Sequence, residues 1–312
     1  MITNKEKNFA SAVVYLHNCE RDVKAYLGAI NETFKENFEK YEIVCVNDCS
    51  TDGTLKAVNG FCDEESVKSL TLVNTSFFQG TENGMIAGDD IAIGDFVFEF
   101  DSTFLDFEPK LIMEVYKKSL EGNDIVFAVP QEKMRLTSKL FYKLFNSFSE
   151  VQYKLRTQRF SVISRRGINR VKSMGVKTVY RKAVYASCGL KVSDVSYEPT
   201  ATVAQESDRQ RQVKKGLAAN SLILFTDIAY KLSITLSIAM SVILLAAGVY
   251  TIAVFFSATP VAGWTTTMLV MSFGFFGLFL LLAFVLKYLS VILNLVFTHK
   301  QYVIESIQKI TR

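Results

Sequence analysis

Apolar and polar positions along the first 130 residues alternate between two periods. Ser11–Leu16 is a short apolar run and reads as a strand. From Glu20 to about Lys40 the period becomes helical, with Val23, Tyr26, Leu27, Ile30 and Phe34 on one face. Glu42–Val46 is again a β-branched strand. It breaks at once into Asn47-Asp48-Cys49-Ser50-Thr51-Asp52-Gly53-Thr54, small polar residues that favour turns and helix caps. A helix from about Asp52, a strand at Ser69–Val73, a polar loop over Asn74–Gly84 and a helix around Met85–Ile93 follow. Then come a strand at Asp95–Phe100, an amphipathic helix at Leu111–Ser119 and a strand at Asp124–Val129. This βαβα alternation predicts an α/β fold, a mostly parallel sheet with helices on both faces. Open sheets of that kind bind nucleotides beyond the carboxyl ends of their strands, which makes the carboxylate-bearing turn at Asp48 the first place to look.

The pattern changes in the last third. Leu232–Phe256 and Thr265–Leu286 contain no charged residue, and each exceeds the roughly 20 apolar residues that span a bilayer. Ser257–Trp264 between them is uncharged. Lys231, Lys287, Lys300, Lys309 and Arg312 lie outside the pair, so the positive-inside rule puts both ends in the cytoplasm. The tail Lys287–Arg312 is apolar at helical intervals and reads as a further helix.

Composition narrows the chemistry. In 312 residues the net charge of +4 is too small to argue for nucleic acid, and no basic arm supports it. Five cysteines without C-x-x-C spacing point to reduced cytosolic thiols, and two histidines leave little for a zinc site. No apolar core precedes the first strand, so no signal peptide is expected. Charge is uneven: Val151–Ser193 holds no Asp or Glu but carries Lys154, Arg156, Arg159, Arg165, Arg166, Arg170, Lys172, Lys177, Arg181, Lys182 and Lys191. Such a block binds an anion or lies against an acidic surface.

The run Val46-Asn47-Asp48-Cys49-Ser50-Thr51-Asp52-Gly53-Thr54 resembles the V-[DN]-D-x-S-x-D-x-T opening of the inverting family-2 glycosyltransferases. Asp101-Ser102-Thr103-Phe104-Leu105-Asp106 resembles the family's D-x-D-x-Q-D segment, with Thr103 for the second Asp and Leu105 for the Gln. Thr75-Ser76-Phe77-Phe78-Gln79-Gly80 lacks the Arg-Asn of the family's R-N-x-G loop. Ser138–Leu144 resembles S-x-x-F-Y-x-L of the polyprenyl-phosphate branch. Phe160-Ser161-Val162-Ile163-Ser164-Arg165-Arg166 resembles F-R-L-x-S-R-R, with Arg159 where an Asp normally precedes it. Glu206–Asp227 resembles the family's basic juxtamembrane helix, and basic residues there suit anionic headgroups.

The resemblance implies a GT-A, Rossmann-like domain over 1–204, an amphipathic helix over 205–228, a two-helix transmembrane hairpin over 229–289 and a cytoplasmic helix over 290–312. It implies an integral protein of the bacterial inner membrane with its catalytic domain in the cytoplasm. That domain would transfer one sugar, with inversion, from a UDP- or GDP-sugar to a polyprenyl phosphate. Carried over residue by residue, Asp48, Asp52, Asp101 and Ser102 would hold the nucleotide sugar, and Asp101, Arg159 and Arg165 would be catalytic. Arg165, Arg166, Arg209, Arg211 and Lys214 would meet the lipid phosphate. Asp101 and Asp106 would hold Mg²⁺ or Mn²⁺, weakly because the metal motif is incomplete. The partners implied are the nucleotide sugar, the lipid phosphate and the bilayer, with no nucleic acid and with homo-oligomerisation left open. The missing Asp, Gln and Arg residues motivate an alternative, a degenerate member acting as a membrane scaffold or binding subunit. A processive polysaccharide synthase fits less well, because Q-x-x-R-W is missing and only two spans are present.

Overall fold

A computed structural model describes residues 5–64, 67, 69–131, 136–148, 153–174, 180–200 and 302–311, with isolated helical residues between 216 and 292. The chain divides into two compact units, one of residues 1–146, 150–218 and 300–312, the other of 147–149 and 219–299.

The first unit is built on an eight-stranded sheet. In chain order its elements are β1 (Ala10–Leu16), α1 (Val23–Asn37), β2 (Tyr41–Asn47), α2 (Thr54–Glu64), β3 (Ser69–Thr75), α3 (Thr81–Ile91), β4 (Phe96–Phe100), α4 (Lys110–Leu120) and β5 (Ile125–Pro130). Then follow α5 (Leu136–Phe148), β6 (Phe160–Ser164), α6 (Arg165–Ser173), α7 (Arg181–Ser187), β7 (Val192–Tyr197) and β8 (Ile304–Thr311). The strand order is β7-β5-β6-β4-β1-β2-β3-β8. β4, β1, β2 and β3 are mutually parallel, as are β5 and β7, whereas β6 runs against β4 and β5, and β8 against β3.

Alternation along the strands fills two cores. Ala10, Ala12, Val14 and Leu16 of β1 pack with the α1 residues Val23, Tyr26, Leu27, Ile30 and Phe34, the face that the helical period picks out. Val13 and Tyr15 point the other way, toward Met85 of α3 and Ile168 of α6. Gly84 and Gly88 bring α3 down onto the sheet. A Cβ on Gly88 would come 2.3 Å from Val13 Cγ1, and one on Gly84 2.9 Å from the Tyr15 ring.

The tail corrects one expectation. Residues 304–311, read as the end of a helix, form β8 on the open edge of β3, with Ser69 opposite Thr311 and Leu70 opposite Ile310. The unpaired backbone of an edge strand offers a full ladder of hydrogen bonds, and this outweighs a helical spacing of apolar side chains. The first unit therefore does not end at 204 but takes in 300–312.

The proposed interface helix over 205–228 lies outside the described residues apart from Gly216, as do most of 232–256 and 265–286. Among the described residues no helix is long and apolar enough to cross a membrane. In the second unit, helical residues Met271, Phe275, Leu278, Leu282, Val285, Leu289 and Ile292 all expose large apolar side chains. Their spacing of three and four marks one face of a helix.

Candidate active site

The chain direction reverses across the sheet between β1 and β4, since β2 and β3 lie to one side of β1 and β4 to the other. The carboxyl ends of these strands frame the crevice where a doubly wound sheet takes a ligand. Four segments meet there: His17–Asp22 after β1, Asp48–Gly53 after β2, Ser76–Gly80 after β3 and Asp101–Asp106 after β4.

The first two are stitched together by side chain to backbone bonds. Asn18 Oδ1 accepts from the Thr51 N–H at 2.7 Å, and Ser50 Oγ accepts from the Asn18 N–H at 3.1 Å. Asp52 Oδ2 accepts from the Glu20 N–H at 3.1 Å, while its Oδ1 accepts from the Thr54 N–H at 3.0 Å and begins α2. Asn18 and Cys49 both sit in the left-handed region, at φ of 50° and 51°, which tightens these turns. Partial burial raises the Asp52 pKa, but hydrogen bonds from Thr54 and the Glu20 N–H outweigh it and hold the carboxyl below its ordinary range. Asp52 remains exposed and free to meet a ligand.

Asp48 does not. It is fully buried, and its four acceptor positions are taken: Tyr15 Oη donates at 2.7 Å, Thr75 Oγ1 at 2.9 Å, the Gln79 N–H at 2.8 Å and the Gly80 N–H at 2.7 Å. Gly80 reaches this position at φ 84°, which suits glycine. Asp48 thus ties the Ser76–Gly80 loop to β1 and β2, and the acceptor atoms expected from the sequence to hold a nucleoside are here bonded within the protein. Above it, His17 Nδ1 donates to the Asp48 carbonyl at 2.7 Å and its ring lies 4.5 Å from Phe78. The loop is also held from outside. Gln79 Nε2 donates to the Val303 carbonyl at 2.7 Å, and the Val303 N–H returns to Gln79 Oε1 at 2.8 Å, just before β8.

The turn after β4 is charged. Asp101 Oδ1 accepts from Arg181 Nη2 at 2.6 Å, and Oδ2 accepts from Lys182 Nζ at 2.8 Å. Burial raises the Asp101 pKa, yet the adjacent Lys182 and Arg181 charges hold it well below the ordinary range. Those same contacts raise Lys182 against the opposing effect of burial. Arg181 is 1 % exposed and also binds Glu82 Oε2 from Nε at 3.1 Å. Its Nη1 lies 2.9 Å from Glu99 Oε1, near enough for an ion pair but off line for a hydrogen bond. Glu99 accepts further from Ser161 Oγ at 2.8 Å and Tyr185 Oη at 2.6 Å. Asp89 beside it is pushed far above its ordinary range by burial and by the Glu99 charge.

Asp106, fully buried, is gripped by Arg159 through Nε at 2.8 and 2.9 Å and through Nη2, and Tyr197 Oη donates to it at 3.1 Å. Arg159 is a pairing group for this carboxylate, with its guanidinium 5.6 Å over the Phe104 ring, and not a free catalytic cation. Ser102 is half-buried beside Asp101.

Arg165 and Arg166 are corrected by strand direction. Because β6 is antiparallel to β4, Phe160 lies opposite Phe100 at the carboxyl end but Ser164 lies opposite Phe96 at the amino end. At about 3.3 Å per residue, Arg165 sits roughly 20 Å along the sheet from Arg159. Arg165 donates to the Gly94 and Ala92 carbonyls at 2.9 and 2.8 Å, and Arg166 pairs with Asp124 before β5. Both brace the edge away from the crevice, so neither meets the reacting groups or a phosphate bound there. Arg209, Arg211 and Lys214 lie outside the described residues.

The expected metal pair does not fit a divalent cation as arranged. Every oxygen of Asp101 and Asp106 has a cationic or hydroxyl donor, and Thr103 and Leu105 add no charge. Among the described residues no group of three or more His, Cys, Asp and Glu side chains is placed to hold a metal. The sequence does not single out Glu82 or Glu99 and shows Arg181 and Lys182 only as members of the acid-free block; Glu99 left a further trace, a glutamate inside the apolar strand FVFEF, a buried charge that requires a partner.

A mostly parallel sheet with ligand loops at its switch point defines a GT-A-like, Rossmann-type domain. The family model Glycosyl transferase family 2 matches residues 11–183, and the chain belongs to that family. It is 30% identical to an uncharacterized glycosyltransferase of Synechocystis over 194 residues, 60% of either chain. It is 26% identical to a prophage bactoprenol glucosyl transferase homolog of Escherichia coli K12 over 205 residues, 63% of this chain and 65% of that one. Among solved structures it resembles the mannosyltransferase PcManGT from Pyrobaculum calidifontis, a complex with GDP-Man and Mn²⁺. The TM-score is 0.51 and the identity 15%, over 91% of this chain and 88% of that one. That similarity speaks to the fold alone.

Proposed function

We propose that this family 2 glycosyltransferase moves one sugar from a UDP- or GDP-sugar to a polyprenyl phosphate at the cytoplasmic face of a bacterial inner membrane. Support for the acceptor comes from relatives named bactoprenol glucosyl transferase or its homolog, matched over 202 and 205 residues. The observation that carries the reading is that the same chain holds that domain and, at helical spacing among the described residues of its second unit, exposed large apolar side chains from Met271 to Ile292. Contiguous apolar surface of that kind requires a partner, and a lipid substrate calls for a bilayer.

The chemistry asks little of a base. A phosphate monoester has its second pKa near about 6 and is mostly a dianion at neutral pH. One of its oxygens bonds to the anomeric carbon from the face opposite the donor phosphate. The bond from that carbon to the phosphate oxygen breaks, the nucleoside diphosphate leaves with the electron pair, and the anomeric centre inverts. In this reading the exposed Asp52 accepts from the ribose or base, and the half-buried Ser102 donates to the diphosphate.

A second reading draws on the inward-turned Asp48 and the fully paired Asp101 and Asp106, which suit a binding subunit without turnover. Full-length protein incubated with labelled UDP- and GDP-sugars and undecaprenyl phosphate separates the two. A solvent-extractable labelled lipid supports transfer; nucleotide binding without product from any donor supports the binding subunit.

A further inference from the structure

Resting on the reading of this chain as a user of nucleotide sugars, we propose that the ammonium of Lys182 stands in for a divalent cation and meets the donor's diphosphate. Asp101, the carboxylate at the carboxyl end of β4, already has both oxygens on cations, Arg181 at 2.6 Å and Lys182 at 2.8 Å. The neighbours that would complete an oxygen-rich shell are Thr103, which is buried, and Leu105, which has no ligand atom. Asp106 is buried under Arg159. Divalent ions of this class need several oxygen ligands. Here an ion approaching Asp101 would find each of its two oxygens already held by a guanidinium or an ammonium.

The two cations differ in what remains free. Arg181 faces three carboxylates, Glu82, Glu99 and Asp101, and is 1 % exposed, so it is locked in place. Lys182 keeps 14 % of its side chain exposed. An ammonium has three donors, and the bond to Asp101 leaves donors for phosphate oxygens. Lysine binds phosphate as a point charge. Asp101 and Arg181 thus act as a clamp that holds Lys182 at the mouth of the switch point. When the sugar–phosphate bond breaks, the charge gained by the leaving diphosphate falls on this ammonium. A mobile ion is not needed for that neutralisation.

Calorimetric titration of the full-length protein with UDP and with GDP, in EDTA and in Mn²⁺, tests this. At least one nucleotide should bind equally well in both media. Lys182→Ala should lose about tenfold or more in affinity in EDTA, the worth of one charged hydrogen bond. Mn²⁺ should recover part of that loss, because Asp101 is released, and the loss of free Mn²⁺ signal in electron paramagnetic resonance should report the new ion. Lys182→Arg, which keeps the charge, should retain metal-independent binding and controls for folding. Binding by the unaltered protein only in Mn²⁺, or an unchanged affinity in Lys182→Ala, overturns the role of Lys182. Absence of binding by either nucleotide in both media overturns the donor reading, and this inference with it.

Discussion

The turns after β2 and β4 both carry buried carboxylates at the carboxyl edge of one parallel sheet, yet they are solvated by opposite means. Asp48 takes four hydrogen bonds from neutral donors, two hydroxyls and two backbone N–H groups. Asp101 and Asp106 are met by full charges, Arg181 with Lys182 and Arg159 respectively. A carboxylate held by neutral donors fixes backbone and shapes a loop. One held by cations fixes ammonium and guanidinium groups next to it, within a network of further carboxylates. The first device holds the loop after β3 onto β1 and β2, and the second ties the turn after β4 to α7 and β6.

The strongest way to break this comparison is at Arg159. Arg159→Leu leaves Asp106 buried and unpaired and should cost about 3–5 kcal/mol, read as a fall in melting temperature. The double change with Asp106→Leu should recover most of it, since a buried pair replaced by apolar groups is often neutral. A loss under about 1 kcal/mol for the single variant would match an exposed pair instead. Next comes Asp48→Asn. It turns an acceptor-only group into one with an amide donor facing other donors, at a cost of about 1–3 kcal/mol. Nucleotide affinity should fall with stability, because the loop loosens. Asp52→Ala sharpens the contrast: it should weaken nucleotide binding at a stability cost of about 1–2 kcal/mol, that of the lost helix cap and the bond to the Glu20 N–H. If Asp48→Asn abolished binding at unchanged melting temperature, Asp48 would be a direct contact after all. The smallest effect is expected at Gln79→Ala, about 1 kcal/mol for its lost hydrogen bonds. Faster amide exchange along β8 would be its signature, and unaltered exchange would show that the β3 ladder alone retains the tail.

Much of this was legible in the chain. The face Val23, Tyr26, Leu27, Ile30 and Phe34 is buried as its period implies, and β1 to β5 fall where apolar runs meet turn residues. Local pattern does not encode strand direction, however. Phe160–Ser164 is five residues long, and nothing in it says that it runs against β4, which is why Arg159 and Arg165 were placed together and lie at opposite edges. In the tail, Ile304, Ile307 and Ile310 repeat every third residue and imitate a helix. The edge of β3 decides otherwise, with Ile304 and Ile310 partly buried and Ile307 exposed. Asp48 and Asp52 share one motif, but only long-range partners such as Tyr15 and Thr75 determine that the first faces inward.

The fixed-charge account is tested most directly by single-turnover transfer from the preferred nucleotide sugar to polyprenyl phosphate, measured side by side in EDTA and in Mn²⁺. Comparable rates are predicted in the two media. A reaction that stops in EDTA and returns on adding Mn²⁺ would contradict the account and show that an ion displaces Lys182 from Asp101 during turnover.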